Sequence, residues 1–169
     1  QKEGVWTHVE SCLRSMIDEN TTAYEYTGYL SNIFDVKSYY KANMDMLTPA
    51  KFNSLMYANQ KIYTKVHNEF PTYYSDSAVV NNAQFGTGCE VEGEVVHSIL
   101  GRTVVVKQGA KIEDSLVHSS CVIGEGAKIQ YAILDKNCKV ADHVSIIGTL
   151  ENPVVVSKAS NVTEDIIGG

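Results

Sequence analysis

From Ala78 onward the chain sets single aliphatic residues among polar ones at nearly constant spacing. Leu100, Val106, Ile112, Val117, Ile123, Ile129, Leu134, Val140 and Ile146 are separated by 6, 6, 5, 6, 6, 5, 6 and 6 residues. The period is therefore 17, and it gives three columns: Leu100/Val117/Leu134, Val106/Ile123/Val140 and Ile112/Ile129/Ile146. A fixed period is read before any local propensity. Three short strands per turn, each offering one aliphatic side chain to a central axis, predict a triangular coil whose stacked turns pair at about 4.8 Å. Small residues (Ala110, Cys121, Ala127, Cys138 and Val144) follow four positions after most anchors, and Gly109 and Gly126 precede two of them, where a corner needs a permissive backbone. Val79, Phe85 and Val91 extend the scheme upstream through an irregular coil before Leu100, for about four coils in all and no projecting loop. Val154-Val155-Val156, after Pro153, reads as a strand that caps the open end of the coil or docks on a partner.

The residues before Ser77 follow helical spacing instead. Thr7-His8-Val9-Glu10 has the capping-box pattern, and Val9, Leu13, Met16 and Ile17 then form an apolar stripe. Asp35 is placed to cap a second helix with Val36, Tyr40, Met44 and Leu47 on one face, and Thr48-Pro49 opens a third. Thr22 to Tyr29 and Lys61 to Val66 alternate as strands do.

Composition adds limits. The chain has 169 residues, enough for one domain or two small ones, with 44% hydrophobic and 20% charged residues. Nine of ten tyrosines and the only Trp precede Ser77, whereas ten of twelve glycines follow it, so the architecture changes near Pro71 to Ser77. No apolar run exceeds four residues, far below the roughly 20 a membrane-spanning helix needs. A net charge of −6 with scattered basic residues argues against nucleic acid or an anionic membrane as partner. Four cysteines without a C-x-x-C pair and no leader-like opening point to a reducing cytoplasm. The chain opens at Gln1, directly before a helical pattern, as a piece of a longer protein does.

Candidate chemistry in the second half is thin. Cys121 and Cys138 stand one coil apart at the same inward position, which fits two buried cysteines better than a metal pair, since no further ligand has zinc-like spacing. His97, His118 and His143 are general-base candidates by residue type. Gly86-Thr87-Gly88 leads into a coil strand and lacks the helix N-terminus that holds a phosphate.

The coil resembles the hexapeptide repeat, which implies a left-handed parallel β-helix. Some such proteins are acyltransferases that use a coil-edge histidine, for which His118 or His97 is the choice here. Upstream, the stretch YEYTGYLSNIFDVKSYYKANMDML, Tyr24 to Leu47, resembles the end of the catalytic domain of the glucose-1-phosphate adenylyltransferase family. There a G-Y-W-x-D-V-G-T segment leads into a helix reading S-Y-x-x-A-N-x-D-L, matched here by Ser38, Tyr39, Ala42, Asn43, Asp45 and Met46. The resemblance implies an α+β tail end of a nucleotidyltransferase domain over residues 1–74 and a left-handed β-helix domain over 75–169. It also implies Mg²⁺ and ATP for the complete enzyme, and as partner a catalytic subunit or further copies of the same chain.

Asn32 stands where active members carry a metal-ligating aspartate, and a neutral amide does not neutralise Mg²⁺ as a carboxylate does. That departure is similar to the GlgD-type subunit of the family, a non-catalytic, regulatory partner in glycogen synthesis. No catalytic, cofactor-binding or metal-binding residue is then expected within the chain. No Lys or Arg cluster suggests a phosphorylated effector. The alternatives are an active nucleotidyltransferase with an atypical metal site, a hexapeptide acyltransferase, and a purely structural oligomerisation module.

Overall fold

The computed structural model describes residues 8–57, 62–66 and 68–168. Helices α1 (Val9–Ser15), α2 (Val36–Met44) and α3 (Pro49–Met56), with a 3₁₀ turn at Asp45–Leu47, precede seventeen short strands. The strands form three parallel sheets that wall a triangular prism of about six turns. Sheet A stacks β1 (Tyr73–Tyr74), β4 (Glu90–Val91), β7 (Val105–Val106), β10 (Val122–Ile123), β13 (Lys139–Val140) and β16 (Asn161–Val162). Sheet B stacks β2 (Val79–Asn81), β5 (Glu94–Val96), β8 (Lys111–Glu113), β11 (Lys128–Gln130), β14 (Ser145–Ile147) and β17 (Ile166–Ile167). Sheet C stacks β3 (Gln84–Phe85), β6 (Ile99–Leu100), β9 (Leu116–Val117), β12 (Ala132–Leu134) and β15 (Val154–Val156).

The 17-residue columns are the ladders: Val106↔Ile123↔Val140, Ile112↔Ile129↔Ile146 and Leu100↔Val117↔Leu134. All nine anchors are buried, and the small residues Ala110, Cys121, Ala127, Cys138 and Val144 fill the core beside them. Gly109 and Gly126 sit at corners with φ of +70° and +63°.

Several expectations need correction. The coil has about six turns, because 15-residue and 22-residue turns escape a strict 17-residue count. In the first turn Val80, not Val79, stands in register with the buried Val95, and on this terminal rung both valines remain exposed, Val79 at 54% and Val80 at 42%. The next turn is short, 15 residues from Glu90 to Val105, and Gly93 makes its first corner, where a Cβ would lie 2.4 Å from the Ala110 carbonyl oxygen. Val154–Val156 neither caps nor leaves the coil: it pairs with β12 as the next rung of sheet C. A detour through Gly148 to Pro153 precedes it, so the coil does carry a projecting loop.

Before the coil, Asp35 caps α2 as expected, and Ser38 completes a capping box with it. Tyr40, Met44 and Leu47 are buried, while Val36 at the start of that face is 47% exposed. Helix α1 begins one residue late, with His8 at the N-cap and no side-chain cap. Thr7 lies outside the described residues, and Glu10 Oε1 accepts from Arg14 at 2.8 Å. Thr22 to Tyr29 forms no strand, since no sheet edge runs beside it, and Tyr24 is 89% exposed. Ile62 to Val66 is likewise irregular, and Lys61 lies outside the described residues.

Candidate functional site

The outer column of sheet C is apolar: Ile99, Leu116 and Ile133 precede the inward anchors. Helix α2 lies across it, burying Tyr40, Met44 and Leu47 against Leu116 and Ile133 in a second core outside the prism. Polar contacts fix the helix in place. The Tyr40 hydroxyl donates to the Asp114 carbonyl oxygen at 2.6 Å, and Gln84 Nε2 donates to the Met46 carbonyl at 2.6 Å. Lys37 pairs with Glu151 of the projecting loop. Two grooves run along the flanks of this helix.

On one flank, a groove of about 610 Å³ is lined by Ile33, Phe34, Tyr39, His118, Ile133 and Asp135, among others. His118 Nε2 and the Tyr39 hydroxyl are 3.1 Å apart, and their rings stack with centroids 6.4 Å apart. Burial of the imidazole pushes its pKa down, so the neutral ring is favoured. On the other flank, a groove of about 590 Å³ includes Lys41, Asp45, His97, Asp114 and Tyr131. His97 Nδ1 and Asp114 Oδ1 lie 2.5 Å apart, and the Asp114 carboxylate raises the pKa of the neighbouring Tyr131 phenol. The grooves combine carboxylates with apolar walls, and neither gathers the several unpaired cations that hold a phosphorylated ligand.

The structure separates the three histidines. His118 faces α2, whereas His97 and His143 are corner residues with φ of +43° and +61°. Histidine, with Asn and Asp, is enriched in that left-handed region, which gives both a structural reason to be there. Cys121 and Cys138 occupy one inward ladder with Cys89 and Val104, all fully or nearly fully buried, and the three cysteines are free thiols. The Cys121 thiol donates to the Asp135 carbonyl oxygen at 3.1 Å, and burial pushes its pKa up to about 12. Burial thus disfavours the thiolate, the form of cysteine that attacks and ligates. Gly86-Thr87-Gly88 forms a coil corner, with Gly88 at φ +73°.

Asn32 is exposed in the irregular segment before α2. The nearby Asp35 carboxylate is occupied as the helix cap, accepting from the Ser38 amide at 2.7 Å. Among the described residues no group of three His, Cys, Asp or Glu side chains is placed to hold a metal, so these residues do not by themselves fit a Mg²⁺ shell around Asn32.

Residues 70–167, which contain the coil from its first strand to its last, match the GlmU-like, C-terminal hexapeptide family. The chain belongs to that family. Its prism is the left-handed parallel β-helix of hexapeptide repeats. This hexapeptide protein is 37% identical to the glycogen biosynthesis protein GlgD of Bacillus subtilis (strain 168) over 135 residues, covering 80% of this chain and 39% of that one. It is 38% identical to the glucose-1-phosphate adenylyltransferase of Bacillus mycoides (strain KBAB4) over 95 residues, covering 56% of this chain and 25% of that one. The matched part thus spans well under half of either relative. A solved perosamine N-acetyltransferase from Caulobacter crescentus, in complex with CoA and GDP-perosamine, aligns at 20% identity with a TM-score of 0.33 over 60% of this chain and 52% of that one, too loosely to bear on chemistry. No helix among the described residues is long and apolar enough to cross a membrane.

Proposed function

We propose that the hexapeptide chain is the C-terminal part of a GlgD-type subunit of glucose-1-phosphate adenylyltransferase, serving subunit assembly and regulation in the cytoplasm. The complete enzyme makes ADP-glucose and diphosphate from ATP and glucose 1-phosphate. The observation that carries this reading is the length of the GlgD similarity. The 100 positions from Phe70 to the C-terminus cannot hold a 135-residue match, so at least 35 matched residues precede the coil. The similarity therefore includes residues beyond the repeat that many hexapeptide proteins share. Helix α2 belongs to the segment before the coil yet packs on sheet C, so a displacement of that segment is passed to the coil through Tyr39, Tyr40 and Lys37. Helix α1 buries none of its residues, which suits a face completed by the remainder of a longer protein.

In this reading Asn32 leaves the Mg²⁺-dependent chemistry to a catalytic partner chain, because its amide supplies no charge to the cation. ATP and Mg²⁺ are bound outside this part of the protein. The test is ADP-glucose synthesis by the full-length protein, alone and mixed with the catalytic adenylyltransferase of the same organism. Silence alone, with a changed rate or effector response in the mixture, is the expected result. Robust synthesis by the protein alone overturns the non-catalytic reading.

A further inference from the structure

Sheet C has its apolar outer column covered by α2, whereas sheet A is bordered at Tyr73 and Glu90 by the irregular segment Asn68 to Pro71. From the first rung to the last, the outward residues of sheet A are Tyr73, Glu90, Val105, Val122, Lys139 and Asn161. The centre is apolar, with Val105 and Val122 side by side and half-buried. Glu90 and Lys139 are exposed one rung beyond on either side. Three rungs at about 4.8 Å separate these two charges by about 14 Å, too far to pair within one molecule. On sheet B, by contrast, charges are matched inside the chain, as where Lys111 Nζ meets Glu94 Oε2 at 2.9 Å.

The pattern is self-complementary. A two-fold axis along the strand direction, passing between β7 and β10, reverses the coil axis and maps β7 onto β10 and β4 onto β13. It sets Val105 against Val122 of the second copy and Glu90 against Lys139 of the second copy, each pair twice. Of the flanking exposed residues, Glu92 adds a carboxylate, whereas Lys107 Nζ lies 3.7 Å from Asp142 Oδ1 of its own chain, and the net charge of the chain is −6. Two copies of so acidic a chain repel one another through most other faces.

We propose that the outer face of sheet A docks a second copy of this chain, with the coils antiparallel and Glu90 opposite Lys139 across the two-fold axis. The inference goes beyond the adenylyltransferase reading and does not depend on it. An isologous contact of this kind closes on itself and leaves no free copy of the patch. Six rungs span only about 24 Å, so the contact is of the transient class and depends on concentration.

Sedimentation velocity of the chain at micromolar to millimolar concentration tests this. The expected result is a sedimentation coefficient that rises with concentration and falls back as salt is added. Glu90→Lys or Lys139→Glu alone places like charges opposite at two points and weakens association about tenfold or more. An equimolar mixture of the two single variants restores it as a mixed dimer, and the double variant restores it within one chain. Both positions face solvent, so the variants should melt like the parent. A chain that stays monomeric throughout, single variants that associate like the parent, or a mixture no tighter than its components each overturn the proposal.

Discussion

Replacing Ile123 probes the register on which the coil rests. Ile123 is fully buried on β10, between Val106 of β7 and Val140 of β13. Trimming it to Val should cost about 1 kcal/mol, and to Ala about 3 kcal/mol, through lost transfer energy and the cavity left behind. Ile123→Asp removes the same aliphatic group, worth about 2–3 kcal/mol when buried. It also puts a carboxyl among aliphatic neighbours, costing a further 2–7 kcal/mol or so even when neutral. Together these approach the roughly 5–15 kcal/mol that holds a whole domain together. Each rung of a solenoid leans only on its neighbours, so a central lesion also uncouples the rungs on either side. Burial raises the introduced carboxyl's folded-state pKa above its unfolded value of about 3.9. The deficit is therefore smallest below about pH 4 and grows as pH rises toward the folded pKa. Urea unfolding followed by far-ultraviolet circular dichroism, for Val, Ala and Asp at this position, should give midpoints falling in that order. An Asp variant that unfolds at the parent's midpoint means that Ile123 does not face the core and that the 17-residue register is wrong.

Other perturbations read the junction and the corners. Tyr40→Phe removes the donor to the Asp114 carbonyl and should cost about 1 kcal/mol, with faster amide exchange in α2 and unchanged exchange in the central coil. The His118 ring should titrate below its usual 6.5 in a proton NMR series, because its burial favours the neutral form. Stability tied to it is present above that pH and declines as acid protonates the unfolded chain first; a midpoint at or above 6.5 refutes the docked geometry. A thiol reagent at pH 8 should label the half-buried Cys12 in the native protein and reach Cys89, Cys121 and Cys138 only on unfolding, as mass spectrometry would count. Gly124→Ala should lower the melting temperature by an overpacking cost of about 1–3 kcal/mol, since its Cβ would come within 2.5 Å of the Ala141 carbonyl carbon of the next rung.

The coil was legible because each rung repeats the same physical demand, one aliphatic side chain inward per strand, and nine anchors kept one register. Sequence periodicity sees that demand directly. It did not see the shorter second turn, where Gly93 closes a tight corner, and in the first turn it set Val79 inward where Val80 holds the register with Val95. The docking of α2 was missed although a signal existed: Ile99-Leu100, Leu116-Val117 and Ile133-Leu134 are apolar doublets whose first member points out of the prism. An outward apolar column needs a cover, and Tyr40, Met44 and Leu47 supply it. The apolar stripe of α1 was read correctly as a pattern, yet Val9 and Met16 remain 76% and 70% exposed, because a seven-residue helix finds no surface to cover among the described residues. Asn32 is an exposed residue of irregular structure, so its neighbours in this chain add nothing to what its identity already implied.

The corners explain why residue type misleads in a fold of this kind. Nine described non-glycine residues have positive φ, and most fall in stacked columns, such as Asn82/His97/Asp114/Tyr131 and Thr103/Ser120/Asn137/Ala159. A left-handed residue other than glycine costs on the order of 1–2 kcal/mol, less for Asn and Asp, which bond locally. An inward aliphatic residue that loses all its exposure contributes about 2–3 kcal/mol. The ladders thus offset the corners, and the sequence at a corner is free to vary among residues that tolerate the turn. Histidine is one of them, so two of the three histidines singled out as general-base candidates hold positions that backbone geometry already accounts for. The third, His118, is not at a corner: its Nε2 lies 3.1 Å from the Tyr39 hydroxyl of the docked helix, so it helps to join the two halves of the chain.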